Sequence, residues 1–224
     1  ATAISQAAPS SNGVYYVHQI YGIFGDNKPM STLFQKSKSM WSDVAKGMGA
    51  EHHLWNAEEL ESLVKQKYPQ FWNMYCDVRY PIMRADIGRI VIIHAYGGLY
   101  ADLDVLPNRS WYEQVQLAIP RVRDAKKELI RAKKKKGRTL SRRVENLYYL
   151  EMEVIVGAQG NDIFLDWLEY IRLQISNKAY HDKASFWFSA RMRYIYCTTG
   201  PRSMARFLGL PINAAKFKAI KYLE

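Results

Sequence analysis

Cysteine is scarce in this chain of 224 residues: only Cys76 and Cys197 are present. Neither has the spacing of a metal-ligand motif, which excludes a zinc module or a disulfide framework as the organising device. Two buried thiols are the favoured reading, with a Cys76–Cys197 disulfide as the alternative. Long apolar runs are absent too. The longest begins at Ile90–Ile93 and is broken by His94 and by Gly97-Gly98, well short of the roughly 18 residues of a membrane helix. Residues 1–13 lack a basic start and an apolar stretch, so they do not form a signal peptide as they stand. They read as a flexible lead-in, or as the scar of a cut from a longer chain with an anchor upstream. Acidic residues are nearly missing from one segment. From Arg121 to Arg143 twelve Lys or Arg stand against two acids, and the whole chain carries a net +11. The remainder is therefore close to neutral, and the basic charge belongs to one insert, 121–143.

What is present is globular. The chain is 48% hydrophobic and 24% charged, which argues against disorder as the whole answer and suits one domain with a sizeable core. Val14–Ile20 is a β-rich apolar run bounded by turn residues and reads as a buried first strand. A helix is expected over Ser31–Met40, then a short strand over Glu51–Trp55. Asn56 is placed to cap a helix with Glu58 and Glu59 in its first turn and Leu60, Leu63 and Val64 on its apolar face. That helix ends near Tyr68-Pro69. Pro81 suits the first turn of a further helix running to His94, which Gly97-Gly98 stops. Leu99–Val105 then reads as a buried strand, and Val154–Val156 as another. Apolar residues at Ile163, Phe164, Trp167, Leu168, Ile171 and Ile175 have helical spacing. Ala125–Lys136 has helix-forming composition without an apolar face and reads as a solvated helix or a loop. Alternating strands and helices predict an α/β domain over 14–224.

The segment Gly97-Gly98-Leu99-Tyr100-Ala101-Asp102-Leu103-Asp104 carries the chemistry. If the strand continues, Asp102 and Asp104 face the same way. Two carboxylates at the end of an apolar strand are costly to bury unpaired and repel one another. A hard dication such as Mg²⁺ or Mn²⁺ resolves both problems, and it completes its shell with water and phosphate oxygens. The plainer reading is a surface turn with two solvated aspartates, which usually wins for an isolated Asp-x-Asp. The context shifts the odds: helix, Gly-Gly stop, apolar strand, then both acids, where ligands sit in open α/β sheets.

Several blocks resemble one family. Val17-His18-Gln19-Ile20-Tyr21-Gly22 is similar to its opening strand. Ser39-Met40-Trp41-Ser42 and His53-Leu54-Trp55-Asn56 are similar to its Ser-Trp and Leu-Trp landmarks. The most specific block is Arg84-Ala85-Asp86-Ile87-Gly88-Arg89 followed by Gly97–Val105. Val156-Gly157-Ala158-Gln159-Gly160-Asn161 and Thr199-Gly200-Pro201 complete the set. Together they resemble the glycosyltransferases with a DXD sugar-binding region, a group that includes yeast-type mannosyltransferases and α1,4-galactosyltransferases and is distantly similar to the core of the clostridial glucosylating toxins. The resemblance implies a GT-A fold, a Rossmann-like α/β sandwich forming a single domain with the basic insert.

It also implies roles. Asp104 would be a direct ligand of Mn²⁺ or Mg²⁺, and Asp102 would contact ribose or sugar and the metal. Asp86 and Arg89 would hold the donor sugar and diphosphate, with Arg84 supporting the pocket. Three apart on a helix, Asp86 and Arg89 share a face; an ordinary surface salt bridge is the plainer reading of the pair. Tyr21 would lie near the nucleobase, or else pack in the core. Gly98 would stop the helix and let backbone approach the donor. Glu153 and Gln159 would border the sugar, and Asp102, Asp104 and Glu153 are the candidate catalytic residues. Departures are Glu153, Asn161-Asp162 and the absence of any His after His181, where relatives place a His that completes the metal site.

The expected activity is metal-dependent transfer of a hexose from a UDP- or GDP-sugar to an acceptor hydroxyl on a glycan, lipid or protein, with retention. Residues 121–143 suit a solvated insert or contact with an anionic membrane surface. A nucleic-acid partner is disfavoured, because the insert has no interleaved aromatics before Tyr148-Tyr149. The rival readings are a basic nucleic-acid- or membrane-binding module and an inactive relative that still binds sugar nucleotide.

Overall fold

A computed structural model describes residues 16–25, 29–107, 129–130, 133–135, 149–177 and 188–208. The first strand, β1 (Tyr16–Ile20), leads to α1 (Thr32–Gly47), β2 (Glu51–Trp55) and α2 (Ala57–Lys67). A turn of 3₁₀ helix over Pro69–Phe71 and a short α3 (Trp72–Asp77) lead to α4 (Pro81–Tyr96) and β3 (Gly98–Ala101). Four more strands follow: β4 (Leu129–Ile130), β5 (Lys133–Lys135), β6 (Tyr149–Glu151) and β7 (Val154–Gly157). The last helices are α5 (Ile163–Ser176), α6 (Phe188–Thr198) and α7 (Pro201–Leu208).

Local chemistry sets the helix ends. The Ser31 hydroxyl accepts from the Phe34 amide at 3.3 Å at the start of α1. Asn56 makes the expected cap and Glu59 returns the bond to its amide, at 2.9 and 3.0 Å. This reciprocal box satisfies two amides that a helix start leaves without partners. Pro81 stands in the first turn of α4, and Gly97 ends it at φ 68°.

Strand order among the described residues is β2-β1-β3-β7-β4, with β5 and β6 paired apart. The β1 strand runs parallel to both β2 and β3, and β7 runs antiparallel to β3. Part of Ala125–Lys136 is thus extended rather than helical. Without an apolar stripe these residues have no helix face to bury, whereas Leu129–Ile130 covers the free edge of β7 and satisfies its backbone.

Side-chain alternation sorts the core into two clusters. Val17, Leu99, Ala101, Val154 and Val156 pack with Trp41 and Ala45 of α1. Ile20, Tyr100 and Ile155, on the opposite sheet face, join the larger cluster built around α4 and α5. Helix α4 is buried on nearly every side: Met83, Ala85 to Ile93 and Ala95 are all sheltered. A buried helix is uniformly apolar unless polar groups have partners inside, and α4 carries two charges into this environment, Asp86 and Arg89.

Candidate functional site

The parallel strands β1, β2 and β3 share one carboxyl edge, the usual ligand side of such a sheet. There β3 ends a residue before Asp102 instead of continuing to Val105. The Asp102 amide donates to the Glu153 carbonyl at 2.7 Å, and the Val105 amide closes a turn on the Asp102 carbonyl at 3.1 Å. The strand does not continue through the pair, so the expectation of two carboxylates facing the same way from one strand is corrected accordingly. Asp102 follows Tyr100 toward α4, Leu103 is buried, and Asp104 is exposed on the turn. The turn is pinned from behind: the Val105 carbonyl accepts from the Ser37 hydroxyl at 2.8 Å and from the Trp41 indole at 2.9 Å.

Asp102 is held at both oxygens. Arg89 Nη1 donates to Oδ2 at 3.2 Å, and the Tyr100 hydroxyl donates to Oδ1 at 2.6 Å. Burial raises the Asp102 pKa, while Arg89 and Tyr100 pull the other way. Burial likewise pushes Tyr100 well above the usual phenol range, with the Asp102 charge reinforcing it, so the phenol stays a donor.

Arg89 sits at the centre. Nη2 lies 3.0 Å from Asp86 Oδ1, and Nη1 also donates to the Met152 carbonyl at 2.8 Å. Burial opposes the charge of Arg89, but Asp102, Tyr100 and Asp86 outweigh it and raise the pKa. Sequence reasoning aimed this guanidinium at a diphosphate; in the structure its fork is engaged inside the protein, with the side chain 6% exposed. Asp86, expected at the sugar, is also buried, and the Thr199 hydroxyl donates to its Oδ2 at 2.7 Å.

The other sequence candidates divide by location. Tyr21 follows β1 at the same edge as Asp102, with its ring edge-on to Phe34, and Glu153 is exposed beside the Asp102 amide. Gln159 lies at the opposite end of β3, because β7 runs antiparallel and carries the chain away. Its amide donates to the Ala95 carbonyl at 2.8 Å, closing the end of α4. Gly98 is at that far end too. A Cβ there would meet the Tyr16 carbonyl oxygen at 2.4 Å, so its need for glycine comes from the neighbouring strand rather than from a donor. Arg84 turns away: it donates to the Cys76 carbonyl at 3.2 Å and lies near Glu61 and Tyr75. Cys76 and Cys197 are free thiols.

Sequence reasoning missed Tyr100 and Thr199. Tyr100 was within reach, since two residues before Asp102 on a strand means the same face. Thr199 gives no local signal, being 113 residues from Asp86.

The donor set can be weighed against a dication. Among the described residues no three or more His, Cys, Asp or Glu converge to hold a metal. Asp102 keeps acceptor capacity beyond its two bonds, because a carboxylate offers about four lone-pair sites. Asp104 has no hydrogen-bond or ion-pair partner among the described residues. This pair fits a hard cation that takes one or two carboxylates and draws its other ligands from water and phosphate. It does not form an all-protein cage.

Residues 29–123 match the family model described as "Glycosyltransferase sugar-binding region containing DXD motif". Inositol phosphoceramide mannosyltransferase 3 of Schizosaccharomyces pombe is 42% identical over 60 residues, 27% of this chain and 17% of that protein. Mannosyl phosphorylinositol ceramide synthase CSH1 of Saccharomyces cerevisiae is 45% identical over 51 residues, 23% of this chain and 14% of that protein. The matched stretches thus span under a fifth of either relative. The solved structure "PaToxG Glycosyltransferase" superposes with a TM-score of 0.57 at 11% identity, over 93% of this chain and 74% of that one, a likeness of fold. The chain is thus similar over residues 29–123 to glycosyltransferases whose sugar-binding region contains a DXD motif, and in its α/β fold to a solved glycosyltransferase.

Proposed function

We propose that the chain transfers a hexose from a nucleotide sugar to an acceptor hydroxyl, with Mn²⁺ or Mg²⁺ at Asp102 and Asp104 and with retention of anomeric configuration. The observation that carries this reading is the state of Asp102. Its carboxylate is locked in place by Arg89 and Tyr100 at the ligand edge of the sheet, on the same turn as the exposed Asp104. A preorganised anion pair at that edge suits electrostatic stabilisation of a departing diphosphate better than acid–base chemistry. The bound cation would supply Lewis-acid compensation of the negative charge on the leaving diphosphate. Arg89 and Tyr100 would hold Asp102 in one rotamer, Tyr21 would face the nucleobase, and Glu153 would stand nearest the transferred sugar.

The names of the similar proteins suggest mannose as the first donor sugar to try and an inositol-phosphate sphingolipid as the first acceptor. The twelve Lys and Arg of 121–143 support an approach to an anionic membrane carrying such an acceptor. The test is a panel of UDP- and GDP-hexoses with Mn²⁺ or with chelator, read by donor hydrolysis. NMR of the glycosylated product follows the anomeric configuration, and flotation with anionic vesicles follows the membrane contact. No hydrolysis and no binding of any nucleotide sugar in Mn²⁺ would defeat the proposal.

A further inference from the structure

We infer that Thr199 is a positioning residue for the DXD carboxylate, acting through Asp86 and Arg89. Thr199 lies fully buried between α6 and α7. Its hydroxyl has one proton and two acceptors in range, Asp86 Oδ2 at 2.7 Å and the Ile195 carbonyl at 3.4 Å. The shorter, charge-assisted bond takes the proton. Asp86 then has one oxygen held by Thr199 and the other by Arg89 Nη2, and Arg89 Nη1 reaches Asp102 Oδ2. A continuous chain of bonds therefore runs from the α6–α7 junction through α4 to the first aspartate of the Asp-x-Asp pair.

Packing alone does not call for a hydroxyl here. Valine has nearly the shape of threonine and avoids the cost of burying an oxygen. The neighbouring buried hydroxyls of Thr198 and Ser203 have no hydrogen-bond partner among the described residues, which makes them internal controls. Without the Thr199 hydroxyl, Asp86 Oδ2 loses its donor in a buried site. The carboxylate is then free to turn, and Arg89 loses the fixed anchor that aims it at Asp102.

The role assumes the function proposed above, whereas the chain of bonds does not, so two readouts are needed. The first is ¹⁵N NMR of the Arg89 guanidinium, whose rotation about Nε–Cζ is slowed when both nitrogens are held. The second is the Mn²⁺ dependence of donor hydrolysis. Thr199→Val should speed the rotation and raise the half-saturating Mn²⁺ about tenfold, as for one lost charge-assisted bond, with a smaller change in kcat at saturating metal. Thr199→Ser should behave as wild type, and so should Thr198→Val. If Thr199→Val does not fold, Thr199→Ala serves in its place. Unchanged Arg89 rotation in the hydroxyl-less variant overturns the inference, as does an equal effect of Thr198→Val. In an active protein, an unchanged Mn²⁺ requirement overturns it as well. If wild type hydrolyses no nucleotide sugar, the functional proposal fails, and the Arg89 rotation still decides whether Thr199 holds the chain of bonds.

Discussion

Arg89 donates to Asp102 across 3.2 Å while Tyr100 grips the other oxygen of the same carboxylate at 2.6 Å. The aspartate is thus oriented before any ligand arrives. Tyr100→Phe removes one of the two holds and little volume. It should raise the half-saturating Mn²⁺ by about tenfold, the worth of one hydrogen bond to a charged group. The melting temperature should move by only a few degrees, about what a loss of 1–2 kcal/mol produces in a chain of this size. Metal titration and thermal melting of the same samples check both halves.

The buried ion pair makes a different demand. Arg89→Met leaves Asp86 and Asp102 without their shared cation, and breaking a buried pair from one side costs about 3–5 kcal/mol. Asp86→Leu combined with Arg89→Met should recover a good part of that loss, because two apolar groups leave fewer unpaired charges. Urea unfolding of the two variants against wild type measures the difference.

Much of this arrangement could be read from the chain itself, and the failures have definite causes. The Asn56–Glu59 box, the start of α4 at Pro81 and its stop at Gly97 follow from local propensity, which sequence carries directly. The same holds for the pairing of Asp86 with Arg89 at helical spacing. The extension of β3 to Val105 failed because a tertiary bond, Asp102 amide to Glu153 carbonyl, bends the chain there. The place of Gln159 at the far end of the sheet is not legible, because strand direction is not encoded in a four-residue apolar run; β7 runs antiparallel. The bonds of Arg89 to Asp102 and Met152 leave no local signal, because those partners are 13 and 63 residues away.

Two glycines separate steric need from conformational preference. Gly98 has φ 92° and its missing Cβ would sit 2.4 Å from the Tyr16 carbonyl oxygen, whereas Gly160 has φ 70° and open space around it. Gly160→Ala should cost about 1 kcal/mol for backbone strain. Gly98→Ala should cost several times more, since backbone must move, and the protein that remains folded should retain its donor affinity. Chemical denaturation and donor binding distinguish the two effects.

His18 gives a pH prediction. Its Nε2–H donates to the Gly97 carbonyl at 3.0 Å, which leaves Nδ1 to accept from the Trp55 indole at 3.2 Å. Burial lowers its pKa from 6.5 to about 3. The unfolded chain therefore binds a proton that the native state refuses between those values. The stability contributed by neutral His18 is complete above about pH 6.5 and is lost as pH falls toward 3, by up to about 1.4 kcal/mol per pH unit. Asp86 and Asp102, raised by burial, tilt stability the opposite way, so the comparison must be differential. His18→Gln, which can still donate and accept, should be flatter than wild type over this window in urea unfolding at stepped pH.

The exposed carboxylate of Asp104 offers the most direct measurement. Nucleotide sugar at about a hundred times its dissociation constant should stabilise wild type by about 2.7 kcal/mol in Mn²⁺, and chelator should remove the effect. In Asp104→Ala the donor-induced thermal shift in Mn²⁺ should fall to the level seen with chelator, with the unliganded melting temperature unchanged. A full, metal-dependent shift persisting in Asp104→Ala would contradict the claim that this carboxylate and Asp102 together hold the cation.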